Sequence, residues 1–293
     1  MRTERANAKI NLYLDVVSKR ENGYHDINSI MQTVSLCDLV TVDFRPGSHT
    51  SITLSASGNT SMPTDCRNLA WRAAECFLSA VQRQGEVQIF IEKHIPMAAG
   101  LAGGSSDAAA VLRAMNRLCG EPLTLEELCA LGAKLGADIP FCIMGGMSLV
   151  TGFGERLESL PPMSDCPLVV ACMGAGVSTV WAYGKLDEKY GNFATPKEDS
   201  KTPRQLADLL AKGDFEAASR LCFNLFEEVV PAEQPYVEPL KETMVKAGAI
   251  RSMMSGSGPS VFGIFSDLSD AERACEVLRD KGASAFVCHP CAK

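Results

Sequence analysis

Residues 96–106 read PMAAGLAGGSS, and this run restricts what the chain can form more than any other stretch. It follows a predicted strand, Val87 to Ile91, and precedes a helix of small apolar residues from about Ser105 to Leu118. Gly100, Gly103 and Gly104 let the backbone turn tightly and come close to a ligand. A helix opening at Ser105 turns its free N–H groups and the positive end of its dipole back into that loop. Loop and helix start together make a phosphate cradle. Ser105 and Ser106 add hydroxyls for phosphate oxygens or a magnesium ion, and the charge of Asp107 favours the helix start. The same run also suits a plain turn that packs a helix on a sheet, and the loop alone leaves both readings open. A P-loop is excluded because G-x-x-x-x-G-K-[ST] is absent, as is the protein-kinase motif set.

The rest of the chain alternates strand and helix signals without strict βαβ order. Residues 8–18 alternate, with Ile10, Leu12, Leu14 and Val16 on one face of a half-buried strand. Strand material continues over residues 30–44 and resumes at Ile52. Helices are expected over Asn68 to Arg83, after the Thr124/Glu127 capping box up to Gly136, and over Pro203 to Lys212, Asp214 to Val229, Tyr236 to Lys246 and Asp267 to Lys281. Short strands are expected at Leu168 to Met173, Val261 to Phe265 and Ala285 to Cys288. Gly174-Ala175-Gly176 after one of them imitates a dinucleotide fingerprint, but the third Gly is missing and little helical signal follows. The texture changes near Leu160-Pro161-Pro162. The expectation is an α+β chain in two domains, 1–158 and 159–293.

A length of 293 residues suffices for a full core without disulfides or a structural metal. The net charge of −7 argues against a nucleic-acid-binding protein, although a local basic pocket for phosphates stays possible. Charges interrupt the N-terminus too soon for a signal peptide, and no run approaches the roughly 20 apolar residues that span a bilayer. A cytoplasmic protein with twelve mostly reduced thiols is expected, with no membrane partner. Cys288-His289-Pro290-Cys291 has the spacing of a redox pair, but only two residues follow, too few for the helix such a pair opens; it reads as incidental.

The glycine-rich run does not stand alone. It resembles the second motif of the GHMP kinases, the galacto-, homoserine, mevalonate and phosphomevalonate kinases. Ala8 to Leu14, AKINLYL, is similar to the first motif of that family, and Met253 to Phe265, MMSGSGPSVFGIF, to the third. The motifs stand in the family's order. Lys9 and Asn11, Gly23-Tyr24-His25 and Gly136-Ala137-Asp138-Ile139-Pro140-Phe141 resemble one branch of it. That branch phosphorylates the 2-hydroxyl of a cytidine-diphosphate-linked methylerythritol in the non-mevalonate route to isoprenoid precursors. Ala98 and Ala102 stand where this loop often carries Gly, and residues 184–252 match little.

The resemblance implies a two-domain architecture with its active site in the cleft between domains, an N-terminal ATP-binding half and a C-terminal substrate-binding half. ATP and Mg2+ are the implied cofactors. Asp138 is the implied base for the substrate hydroxyl, and Lys9 stabilises charge on the transferring phosphoryl. Read without it, the two are a capping Asp and a strand Lys reaching for solvent. Pro96, Met97, Ala98, Ala99, Gly100, Leu101, Ala102, Gly103, Gly104, Ser105 and Ser106 are the implied ATP loop, with Lys93 and Asn68 as adenine-side candidates. Ser105 and Ser106 are the metal candidates. Asn11, Tyr24, His25, Thr179 and Tyr183 are the substrate candidates, Tyr24 and Tyr183 as a clamp on cytosine. Tyr24 also reads as a loop aromatic covering the core, and Trp181 as packing. A monomer or homodimer fits equally. A different alcohol, such as homoserine or mevalonate, would not require Tyr24, His25 and Tyr183. A non-catalytic binding protein on the same fold would be expected to lose Lys9, Asp138 or a glycine motif.

Overall fold

The structure is a computed structural model and describes residues 1–58, 62–191 and 201–292. In chain order it contains β1 (Arg2–Lys19), β2 (His25–Pro46), β3 (Ser51–Gly58), α1 (Leu69–Ala80) and β4 (Gly85–Lys93). Then come α2 (Gly103–Leu118), α3 (Leu125–Ala133), α4 (Ile139–Met144), β5 (Met147–Gly152), β6 (Arg156–Ser159) and β7 (Leu168–Cys172). Next are α5 (Thr179–Tyr190), α6 (Lys201–Lys212), α7 (Phe215–Ser219) and β8 (Phe223–Asn224). The chain closes with α8 (Val237–Lys246), β9 (Arg251–Met254), β10 (Val261–Ile264), α9 (Leu268–Asp280) and β11 (Ser284–Cys288). It forms two compact units: residues 1–8, 37–95 and 102–145, and residues 9–36, 96–101 and 146–293.

In the first unit β4 lies between the second half of β2, antiparallel, and β3, parallel. Val40, Val42, Ile89 and Ile91 meet Phe77 of α1 and Val111, Leu112 and Met115 of α2 in one buried core. The small residues expected after the glycine run make this possible: Ala108, Ala109, Ala110 and Ala114 are all fully buried, so α2 sits deep in the unit. Asn68 caps α1 by accepting from the Ala70 N–H. Thr124 and Glu127 form the expected capping box on α3. That helix stops at Ala133, short of Gly136, where the Lys134 and Leu135 N–H groups tighten onto the carbonyls three residues back, Leu131 and Gly132.

In the second unit the first half of β2 pairs antiparallel with β5, which pairs with β6, and β8 lies parallel against β1 at Tyr13 and Leu14. A separate antiparallel sheet runs β11-β7-β10-β9, and α8 and α9 pack on it. β7 is antiparallel to both neighbours, which is not the parallel setting of a dinucleotide fold. The chain beyond β11 bridges to β2, Val34 opposite Pro290. Burial pushes the Cys288 thiol up to about 12, far from a reactive thiolate.

Three sequence readings change here. Asp214 to Val229 is not one helix. It divides into α7, β8 and a 3-10 turn, Leu225–Glu228, because the Asn224 side chain caps Phe226 and donates to the carbonyls of Met254 and Gly256. Residues 179–190, expected to carry little helical signal, form α5, capped by Ser178. β1 is buried on both faces around its centre, with Lys9, Asn11 and Tyr13 buried as well as Ile10 and Leu12.

Candidate active site

Polar side chains in a buried strand must find partners. In the second unit Lys9 Nζ donates to Asn11 Oδ1 at 2.7 Å, Asn11 Nδ2 to Ser29 Oγ at 2.9 Å, and Ser29 Oγ to the Tyr13 carbonyl at 2.6 Å. The Lys9 N–H donates to the Leu101 carbonyl at 3.1 Å, which ties the first motif to the second. The third motif is the loop between β9 and β10, closed by a hydrogen bond from the Ser255 N–H to the Ser260 carbonyl. A β-carbon on Gly256 would stand 3.0 Å from the Gly100 carbonyl oxygen and 3.1 Å from Lys9 Nζ. Lys9, Gly100 and Gly256, one residue from each motif, thus meet in space. Gly100 has φ +77°, and its missing side chain admits the Ser255 carbonyl.

The other residues of this stretch have distinct placements. Met97 is exposed and Pro96 half-buried. Ala98 has φ +51°, and its methyl and carbonyl fill the space a β-carbon on Gly176 would need. The Ala99 carbonyl accepts from the Ser260 N–H at 3.2 Å.

In the first unit Ala102, at φ +57°, leads into α2, which opens at Gly103, two residues earlier than expected. A β-carbon on Gly103 would lie 3.0 Å from Lys93 Nζ, while Gly104 is exposed. The two serines part company. Ser106 is buried and its hydroxyl donates to the Asn7 carbonyl at 2.6 Å. Ser105 is half-buried, and no side-chain hydrogen bond engages it among the described residues. A magnesium ion held mostly by phosphate oxygens fits one such hydroxyl, and Ser105 is the side chain that would hold it.

Lys93 and Asn68 are engaged in structural roles. The Asn68 amide caps α1 and donates to the Pro63 carbonyl at 2.8 Å. Lys93 is buried between Asp38 and Asp107, 2.9 Å from Asp107 Oδ2. Asp38 also accepts from the His94 and Ile95 N–H groups at 2.6 and 2.8 Å. Burial pushes the Asp107 carboxyl up to about 7, with Lys93 pulling against it and Asp38 adding to the rise. Asp138 precedes α4 in helical conformation, half-buried, and does not cap it. The capping role is therefore not what holds its carboxylate.

The aromatic residues of the second unit pair differently from the expected clamp. Gly23, at φ +85°, makes the turn that exposes Tyr24, whose ring lies 5.5 Å from Phe153. Tyr183 stacks on the buried His25 ring, centroids 4.5 Å apart at 16°, and meets Phe226 edge-on at 5.0 Å. His25 Nε2 lies 2.8 Å from Asp187 Oδ1, and Lys19 Nζ is 2.6 Å from Asp187 Oδ2. Burial opposes the charge on Asp187, but Lys19 and His25 hold its carboxyl below its usual range. Thr179 Oγ1 lies 3.1 Å from Ser257 Oγ, joining the start of α5 to the third motif. Sequence reasoning passed over Lys19, Ser29, Asp187, Asn224 and Phe226. Asn224 carried a signal, since an Asn inside a proposed helix favours a cap instead.

Comparison with known proteins agrees with this geometry. Residues 68–146 match the GHMP kinases N terminal domain, and residues 206–284 match the GHMP kinases C terminal domain. The chain is 43% identical over 279 residues to a 4-diphosphocytidyl-2-C-methyl-D-erythritol kinase of Synechococcus sp. (strain JA-2-3B'a(2-13)), covering 94% of this chain and 88% of that one. It is 41% identical over 283 residues to the protein of that name from Clostridium botulinum (strain Alaska E43 / Type E3), covering 97% and 98%. A crystal structure of 4-(cytidine 5'-diphospho)-2C-methyl-D-erythritol kinase superposes with a TM-score of 0.81 at 33% identity, covering 99% of both chains. A mevalonate kinase from L. major shares the fold at TM-score 0.72 and 16% identity, over 100% of this chain and 97% of that one. The α+β architecture, the three motifs gathered through Lys9, Gly100 and Gly256, and these matches lead to one assignment: the chain belongs to the GHMP kinase family.

Proposed function

We propose that this chain transfers the γ-phosphoryl of ATP to the 2-hydroxyl of 4-diphosphocytidyl-2-C-methyl-D-erythritol, in the non-mevalonate supply of isoprenoid precursors. The observation that carries the reading is identity of 41–43% with kinases of that substrate along nearly the whole chain. Homoserine and mevalonate kinases share the fold at 12–16% identity, which says nothing about their alcohols. Tyr24, His25 and Tyr183 favour the cytidine-linked substrate over either.

In this proposal residues 1–158 carry the nucleotide loop and the base, and residues 159–293 carry the third motif, Thr179 and Tyr183. Asp138 accepts the proton of the attacking hydroxyl, a role suited to a carboxylate not spent on its own helix. Lys9, oriented through Asn11 and Ser29, stabilises charge on the transferring phosphoryl. The backbone at the start of α2 receives the ATP phosphates, beside the exposed Gly104. Ser105 is the side chain that would hold a magnesium ion, which would supply neutralisation of the phosphate charge. Lys93 supports the loop from beneath Gly103. Cytosine lies on the exposed ring of Tyr24, with His25 at its edge. Among the described residues no helix is long and apolar enough to cross a membrane, in keeping with a cytoplasmic enzyme of small molecules.

The test is ADP release in the presence of four alcohols: the cytidine-linked methylerythritol, homoserine, mevalonate and galactose. Turnover of the first alone is expected. Preference for any other overturns the reading.

A further inference from the structure

We infer that Asn224 and Glu227 are positioning residues for phosphoryl transfer: they fasten the third motif to the strand that carries Lys9, and so keep the Lys9 ammonium in place. What the two residues do rests on the proposed role of Lys9. Where they sit does not depend on it, and neither lies in any of the three motifs.

The Asn224 side chain is buried and uses both of its amide hydrogens. Nδ2 donates to the Met254 carbonyl at 2.8 Å and to the Gly256 carbonyl at 2.9 Å, while Oδ1 accepts from the Phe226 N–H at 3.0 Å. Two carbonyls facing one atom settle which end of the amide is the NH2, because an oxygen there would be repelled by both. Glu227, three residues on, takes the other polar group of Met254: its Oε1 accepts from the Met254 N–H at 2.6 Å. Lys241 Nζ steadies the same oxygen from 3.1 Å. Met254 ends β9, so its backbone is gripped on both sides where the third motif leaves the sheet.

The grip is anchored on β1. In the parallel β8–β1 pair Asn224 lies opposite Leu14, on the strand that carries Lys9. The loop it holds returns to the tip of that lysine, since a β-carbon on Gly256 would stand 3.1 Å from Lys9 Nζ. Strand, Asn224 and Gly256 thus close a ring around Lys9, fixing the root of its side chain and bounding its tip. Gly256 has φ +59°, and a glycine peptide turns readily unless something holds its carbonyl. The lysine stem is four carbons long and flexible, so a released loop gives the ammonium room to drift. A misplacement of about 1 Å at a transferring group can cost up to about 100-fold in rate.

The experiment is steady-state kinetics on the full chain, with ATP and the cytidine-linked alcohol. The variants are Asn224→Ser, Glu227→Ala, Glu227→Gln and Lys9→Ala, with Asn224→Ser and Glu227→Ala also made in the Lys9→Ala background. Serine still caps the Phe226 N–H but is too short to reach the two carbonyls. Glutamine at 227 still offers an oxygen to the Met254 N–H. Asn224→Ser and Glu227→Ala are expected to lower kcat by about 10-fold with KM within about 3-fold, and Glu227→Gln to restore most of the loss. In the Lys9→Ala background each should change kcat by less than about 2-fold, because no ammonium is left to misplace. Equal losses in the two backgrounds overturn the proposal, since a general loosening acts without Lys9. So does wild-type kcat in folded Asn224→Ser or Glu227→Ala. Should Asn224→Ser fail to fold, the Glu227 variants decide on the same criteria. Full turnover in Lys9→Ala alone removes the role of Lys9 from the proposed function, and the proposal falls with it.

Discussion

The Ser255 carbonyl oxygen occupies the space that a side chain on Gly100 would fill, so the second and third glycine motifs meet backbone to backbone. Gly100 also has φ +77°, a conformation that costs an L-residue about 1–2 kcal/mol before any clash. Gly100→Ala is expected to lose at least that much stability and most of its ATP affinity, read by denaturant unfolding and nucleotide titration. Wild-type values in both would show that the loops separate freely.

Ala102 offers the opposite test. It adopts φ +57° as an alanine, a strain that glycine would not feel. Glycine also loosens the unfolded chain by about 0.4–1 kcal/mol, which offsets part of the gain. Ala102→Gly should therefore be neutral or more stable by up to about 1 kcal/mol. A fall in Tm would contradict this.

Lys93 is buried between two carboxylates, one more negative charge than it balances. Asp107 carries the excess: its carboxyl rises from 3.8 to about 7 in the folded protein. The native state thus binds a proton that the unfolded chain releases. The stability this brings is complete below pH 3.8 and is lost as pH rises through about 7. Unfolding at pH 5 and pH 8 should show wild type weaker at pH 8 by about 1–3 kcal/mol, and Asp107→Asn should lack that difference. Asp38→Ala should cost about 3 kcal/mol or more at both, because it also leaves the His94 and Ile95 N–H groups without their acceptor.

Asp138→Ala and Lys9→Ala should each lower kcat by roughly two orders of magnitude or more with unchanged circular dichroism. Asn11→Ala, which frees the Lys9 ammonium, should fall between these variants and wild type. Full turnover in Asp138→Ala would remove the base from the mechanism.

Tyr24 is 60% exposed and leans on Phe153. A stacking contact is similar in ground and transition states, so Tyr24→Ala should raise KM by about 10-fold and leave kcat within a few-fold. Steady-state kinetics with the cytidine-linked substrate decide it. An unchanged KM would discard the stacking role.

Much was legible in the residues. Periodicity and capping mark most helices and strands, including the Thr124/Glu127 box, and the glycine run is the strand-to-helix loop its residues imply. Such signals are local: a cap, a turn or an apolar stripe is written within a few positions of chain. The three motifs in their order carried the family. Tertiary structure decided what each polar group is free to do. Ser105 and Ser106 are alike in sequence, but only burial against the Asn7 carbonyl takes Ser106 out of use. Lys93 reads as an open cation until Asp38, 55 residues earlier, is found beside it. Asn224 reads as one helix residue among others until the Met254 and Gly256 carbonyls claim its amide. The His25–Tyr183–Asp187 cluster joins residues up to 162 positions apart, and the burial that orients a ring belongs to the assembled chain. Local propensity determined the elements and the placing of the motifs. Long-range packing decided which side chains those elements spend on one another, because a hydrogen bond or ion pair between distant residues leaves no pattern in the intervening sequence.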